Sequence, residues 1–314
     1  LKMGFDFFSS NPYDPGFYFP FLIGLLLLLL IVQIIIQCLK KYLDTDIHYE
    51  ATLIKDRTYS MNLEKRKDSL WLRYMLGYIT ARAGMWCKSP YMYMLYSSYH
   101  RFSRPEIGVL YSVDACSALI FGPIFGNLAD VLGRKRISIC YNCFVVLSLG
   151  LRMTGERYLA YAAQILTGMA GGLISTTFES WIVYEANKEF RSHGPEKDKF
   201  LKHIFKSQNL IDACISIIIT GVGALSFYWM GIFAPIILSQ SLMVLSAIFM
   251  IVLWDENKPA EDKRSNYISQ YSEAFKELKK REVLTIGIME SLWSATLNIF
   301  IFAWTPILQS VSST

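Results

Sequence analysis

The stretch Gly126-Asn127-Leu128-Ala129-Asp130-Val131-Leu132-Gly133-Arg134-Lys135-Arg136 decides how this chain is read. Each part of it has a physical task. Gly126 removes a side chain where two helices must approach closely, and Gly122-x-x-x-Gly126 extends that small surface. Asp130 closes one helix and Gly133 permits a tight reversal. Arg134 can bridge the Asp130 carboxylate and the helix-end carbonyls, while Lys135 and Arg136 hold the turn on the basic side of a membrane. The flanking blocks, 106–129 and 137–155, are apolar and of membrane-spanning length. The motif therefore reads as a short turn between two spanning helices.

Composition agrees with that reading. The 314 residues are 53% hydrophobic and only 18% charged, with a mean hydropathy of +0.31. A water-soluble domain carries about a quarter charged residues. Further apolar blocks lie at 17–38, 158–184, 204–228, 231–254 and 283–308. The aromatic segment 70–99 holds Arg82, Lys88 and Pro90, and it counts as a span because its neighbours require a crossing. With 39–73 placed in the cytoplasm, 24 Lys and Arg fall on the cytoplasmic side and five on the other: Lys2, Arg101, Arg104, Arg152 and Arg157. So lopsided a bias sets the orientation and turns the net charge of +5 into a topology signal. It excludes nucleic acid as a partner, since that would need a basic soluble face. The six cysteines fall mostly inside apolar blocks, and Cys140-x-x-Cys143 has no second pair to complete a metal site.

The turn motif resembles the cytoplasmic loop signature of the major facilitator superfamily, between its second and third helices. Other segments narrow the likeness: Trp86-x-x-Ser89-Pro90-Tyr91-Met92-Tyr93, Phe178-Glu179-Ser180-Trp181 and Phe300-x-Phe302-x-Trp304-Thr305-Pro306. These look like the molybdate-anion transporter branch of that superfamily, over residues 70–308. The resemblance implies import of molybdate, a tetrahedral dianion, by alternating access. Three positions depart from the branch pattern. Met85 and Lys88 stand in a stretch that usually reads Asp-Trp-Leu-Gln-x-Pro-Tyr, Gln164 stands for a basic residue of the fourth transport helix, and Ser294 for a carboxylate of the seventh, with Glu290 one turn earlier.

Ionisable groups inside a bilayer need a partner or a wet cavity. Helix depths allow Lys88 to pair with Asp114, and Arg82 with Asp212 or Glu290. Two roles stand open for these charges: pins between helices, or the lining of a central cavity. The resemblance places the first, fourth and seventh transport helices around that cavity, and with them Arg82, Lys88, Glu179 and Glu290. Tyr91, Tyr93 and Gln164 are neutral donor candidates, and a buried carboxylate is a candidate carrier of a coupled proton. Pro90 is expected to kink its helix at the middle. Gly168-x-x-x-Gly172 reads as a close helix crossing rather than a ligand contact. No Walker loop, dinucleotide fingerprint, nucleophile elbow or zinc-protease motif occurs, so no cofactor, resident metal or enzymatic activity is expected.

The expected architecture is an all-α polytopic membrane protein. A non-cytoplasmic segment (1–16) leads to an anchor helix (17–38) and a basic cytoplasmic segment (39–69). The N-terminal six-helix half (70–254) follows, then a cytoplasmic linker (255–282), the first helix of a second half (283–308) and a short tail (309–314). The loops 39–69, 130–136, 185–203 and 255–282 are expected in the cytoplasm, in a plasma-membrane protein surrounded by lipid. A transporter of this type has two six-helix halves, so the chain is expected to be a piece of a longer one. The leading function is import of an oxyanion, molybdate; the alternatives are transport of another small solute, such as a sugar or organic anion, and a non-transporting membrane scaffold.

Overall fold

The computed structural model describes residues 55–190, 194–257 and 279–312. The anchor segment 17–38 and the linker 258–278 lie outside the described residues. The chain divides into two units, Leu1–Leu76 and Gly77–Thr314. Every regular element among the described residues is helical. In the first unit the described part is the beginning of α1, Lys55–Lys88, which runs through the boundary into the second. Residues 55–69, expected as loop, are thus helical: Leu63, Glu64, Lys65, Arg66 and Lys67 are good helix formers, and their charge sets location rather than conformation.

The second unit contains α2 (Arg104–Leu132), α3 (Arg134–Met153), α4 (Arg157–Glu189), α5 (Gly194–Met230), α6 (Phe233–Leu253) and α7 (Arg281–Ser312). Helices α2, α3, α5 and α6 are long and apolar enough to cross a membrane. The chain is an all-α polytopic membrane protein. Its exterior is apolar, with Leu119 and Ile120 of α2 and Ile217, Tyr228 and Trp229 of α5 largely exposed, which suits lipid or protein cover rather than water.

Pro90, where a mid-helix kink is expected, stands at a change of winding. The α-helical ladder of α1 stops at Lys88; a 3₁₀ turn spans Ser89–Tyr91, one α turn Met92–Met94, and a π turn Leu95–Tyr99. The ring of Pro90 removes an N–H and crowds the carbonyl one turn back, and the winding changes at this point. Ser89 donates to the Met85 carbonyl at 2.7 Å and continues the path.

Small residues set how closely the helices approach. A Cβ at Gly168 would lie 2.2 Å from the Asp114 carbonyl oxygen, and one at Gly172 would lie 2.8 Å from Gly122 Cα. The α2–α4 crossing is thus a backbone-to-backbone contact, as the Gly168-x-x-x-Gly172 spacing suggests. Along the α1–α6 seam, Ser239 donates to the Gly84 carbonyl at 2.6 Å and Ser246 to the Gly77 carbonyl at 2.9 Å. Hydroxyls directed at backbone oxygens supply in lipid the polar pairing that water would give elsewhere.

The two ends of the bundle are easily told apart. At one end Tyr99 donates to the Met153 carbonyl, His100 meets the Arg152 carbonyl at 2.8 Å, and Tyr99 packs edge-on against Phe233. At the other end the Gly133 turn meets the chain that leaves α6.

Candidate functional site

Three groups of polar side chains stand inside this bundle, and its helices explain each. The Gly133 end comes first. Asp130 does not end its helix: α2 continues to Leu132, and Gly133 alone, at φ +105°, separates α2 from α3. The expected loop 130–136 is a one-residue joint. Arg134 pairs with Asp130 at 3.0 Å, donates to the Ser180 carbonyl at 3.3 Å, and lies over the Tyr184 ring. Lys135 donates to the carbonyls of Ile251 (2.9 Å) and Trp254 (2.6 Å), a cation on the negative end of α6. Arg136 faces Glu256 at 3.4 Å. The Phe-Glu-x-Trp segment secures the same corner: Trp181 stacks on Trp254 at 4.2 Å between ring centroids and donates to the Asp255 carbonyl at 2.9 Å. At Gly126 nothing among the described residues lies within 4 Å of a Cβ. The expected loop 185–203 is likewise mostly helix, since α4 runs to Glu189 and α5 begins at Gly194.

Nearer the middle, Arg82 of α1 holds Asp212 of α5 in a two-pronged ion pair, Nε to Oδ1 at 2.7 Å and Nη2 to Oδ2 at 2.5 Å. Trp86 Nε1, one turn further on, donates to the same Oδ1 at 3.0 Å. Of the two partners allowed by depth, Asp212 is the one taken. The planar fork of Arg matches a carboxylate edge-on, which fixes the register of α1 against α5. Glu179 is exposed, and Gln208 Nε2 donates to it at 3.3 Å. The side chain of Glu290 lies outside the described residues.

The third group lies toward the His100 end. Arg152 was counted by sequence among the loop cations; in the structure it is 1% exposed and belongs inside the bundle. It sits one residue before the end of α3, where a long side chain can turn back between helices. Its Nη2 donates to Gln164 Oε1 and, at 2.5 Å, to Thr167 Oγ1, both on α4, and the guanidinium stands 5.9 Å from the Tyr96 ring centre. Its Nε has no hydrogen-bond partner. Gln164, offered by sequence as a donor, instead serves as acceptor for an arginine that reaches it from the preceding helix. Lys88 is 7% exposed and, among the described residues, closes no salt bridge and no hydrogen bond. Asp114 of α2 interacts electrostatically with both Lys88 and Arg152, and its Oδ1 is buried without a hydrogen bond. The expected Lys88–Asp114 neighbourhood exists, but as an open cluster rather than a closed pair.

Tyr91 stands apart from both charge clusters, stacked on Phe227 of α5 at 5.4 Å and facing Gly223. Outside the spans, His100 is 4% exposed; burial holds its imidazole below the ordinary 6.5, against the opposing effect of the Arg152 carbonyl. Among the described residues no three His, Cys, Asp or Glu side chains are grouped to hold a metal.

Comparison with known proteins follows the same lines. Residues 50–314 match the family of sugar transporters with 12 transmembrane segments. The chain is 27% identical over 237 residues to the molybdate-anion transporter of Xenopus tropicalis, covering 74% of this chain and 50% of that protein. It is 25% identical over 259 residues to the molybdate-anion transporter of Takifugu rubripes, covering 75% of this chain and 53% of that one. The chain thus spans about half the length of the curated relatives it matches. The family is one of transporters and not of enzymes. On the match over residues 50–314, this chain belongs to the twelve-segment sugar-transporter family of the major facilitator superfamily.

Proposed function

We propose that the chain forms the first half of a secondary active or facilitative transporter that imports an oxyanion, molybdate, by alternating access. The observation that carries this is the fixed positive charge at Lys88, buried and without a salt bridge among the described residues. A neutral sugar gains nothing from a buried cation that closes no salt bridge, which is costly to keep in a low-dielectric interior. A dianion repays that cost. The similarity to molybdate-anion transporters supports the same reading. Residues 70–254 rock as one bundle about a midplane site, and residues 283–308 begin the bundle that faces it. Arg82, Lys88, Glu179 and Glu290 border that site, with Asp114, Gln164 and Asp212 behind them. The Gly126–Lys135 turn lies in the cytoplasm of a plasma-membrane protein and latches one conformation.

Uptake of labelled molybdate by cells carrying the intact protein tests the reading. Uptake above that of empty-vector cells is expected, and Lys88→Gln is expected to abolish it. Uptake at the vector level, with the protein confirmed at the surface, sinks the substrate claim.

A further inference from the structure

The cluster toward the His100 end has a charge balance that fits one class of ligand. Lys88 and Arg152, both buried, supply two positive charges and the half-buried Asp114 one negative, so the cluster carries one net positive charge. It is also underbonded. Among the described residues, the Nε of Arg152 and the Oδ1 of Asp114 lack hydrogen-bond partners, and Lys88 closes no salt bridge or hydrogen bond. A structural ion-pair network would close these bonds, because each one left open in low dielectric is costly. Among the described residues, the other titratable groups that interact with the carboxylate are the phenols of Tyr96 and Tyr111. Gln164 and Thr167, which anchor the guanidinium from α4, are neutral.

Building on the oxyanion-transport reading, we infer that Lys88 and Arg152 form the pair that binds the tetrahedral dianion, and that Asp114, their resident counter-ion, takes up one proton as the anion arrives. Before binding, the carboxylate interacts with both cations, which favour its charged form against the cost of burial. A dianion beside those cations brings the cluster to one net negative charge. Protonating Asp114 returns it to zero, and the new O–H can donate to an oxyanion oxygen. The proton comes from water on the side of entry and leaves with the anion on the other side. Arg152 contributes a fork of donors that Gln164 cannot, reaching it from the preceding helix α3. Asp114 lies where its backbone carbonyl touches Gly168, so the α2–α4 crossing fixes the counter-ion against the arginine's anchors.

Molybdate binding to the purified intact protein, with a pH indicator in weakly buffered solution, tests this. The wild type is expected to take up about one proton per molybdate bound. Asp114→Asn is expected to take up none and to bind more tightly near neutral pH, without pH dependence. Lys88→Gln, which breaks no hydrogen bond among the described residues, is expected to raise the Kd for molybdate about tenfold or more. Arg152→Gln should do the same, with part of the affinity restored in Arg152→Lys. The inference is overturned if the wild type binds molybdate without taking up a proton, if Asp114→Asn still takes one up, or if Lys88→Gln binds within twofold of wild type. A wild type that binds neither molybdate, tungstate nor sulfate overturns the transport reading itself, a result distinct from any of these.

Discussion

Single residues show where sequence reading stops. Depth allowed Arg82 to pair with Asp212 or Glu290, because a charge in a bilayer needs a partner, and the structure shows the pair with Asp212. Arg152 could not be found that way: it stands at a helix end, where the charge count places it on the non-cytoplasmic side. Only the folded chain shows that Gln164 and Thr167, 12 and 15 residues later on the next helix, draw it inside. His100 is coupled to it through the Arg152 carbonyl and gives a stability prediction. Burial lowers the folded-state pKa of His100 below 6.5, so the unfolded chain binds the proton first as pH falls. Stability is therefore full above about pH 6.5 and declines below it. Thermal midpoints of the purified protein at about pH 7.5 and 5.5 should differ, and His100→Gln should remove this histidine's share of the difference. An equal acid loss in the variant would assign the effect to other groups.

Elements were legible as types and less so as extents. The apolar block 204–228 belongs to a helix that begins at Gly194, and 106–129 to one that ends at Leu132. Hydropathy marks the portion that lipid can cover, whereas backbone hydrogen bonding continues into the charged turns. The Gly133 turn was legible as a reversal, but not as a joint one residue long. Nor could the glycine spacings show which of their members meets a neighbour. Gly168 packs against the Asp114 carbonyl, while Gly126 faces open space among the described residues. Gly168→Val should therefore push α2 from α4 at a cost of about 1–3 kcal/mol or more, read as a lower thermal midpoint in detergent. Gly126→Val should leave the packing of this half unchanged. Equal losses at both positions would contradict the crossing described here.

At the scale of the molecule, sidedness follows from charge. With Arg152 moved inside, the proposed cytoplasmic face keeps its 24 Lys and Arg against four on the other side. Cysteines introduced singly at Arg101 and Lys197, in an otherwise cysteine-free protein, report on this. A membrane-impermeant maleimide applied to intact cells should label position 101 and not 197. The reverse pattern would invert the topology and, with it, the direction of import.

The joint at Gly133 closes the sequence to one route of genetic repair. A Cβ there would lie 2.0 Å from Glu256 Oε1, so Glu256→Ala would seem able to make room for Gly133→Ala. It clears only the collision, because φ +105° remains a conformation that side chains resist, at about 1–3 kcal/mol. Suppressors of a lesion at 133 should therefore arise elsewhere, at sites that add stability to the bundle as a whole, and not at its neighbour.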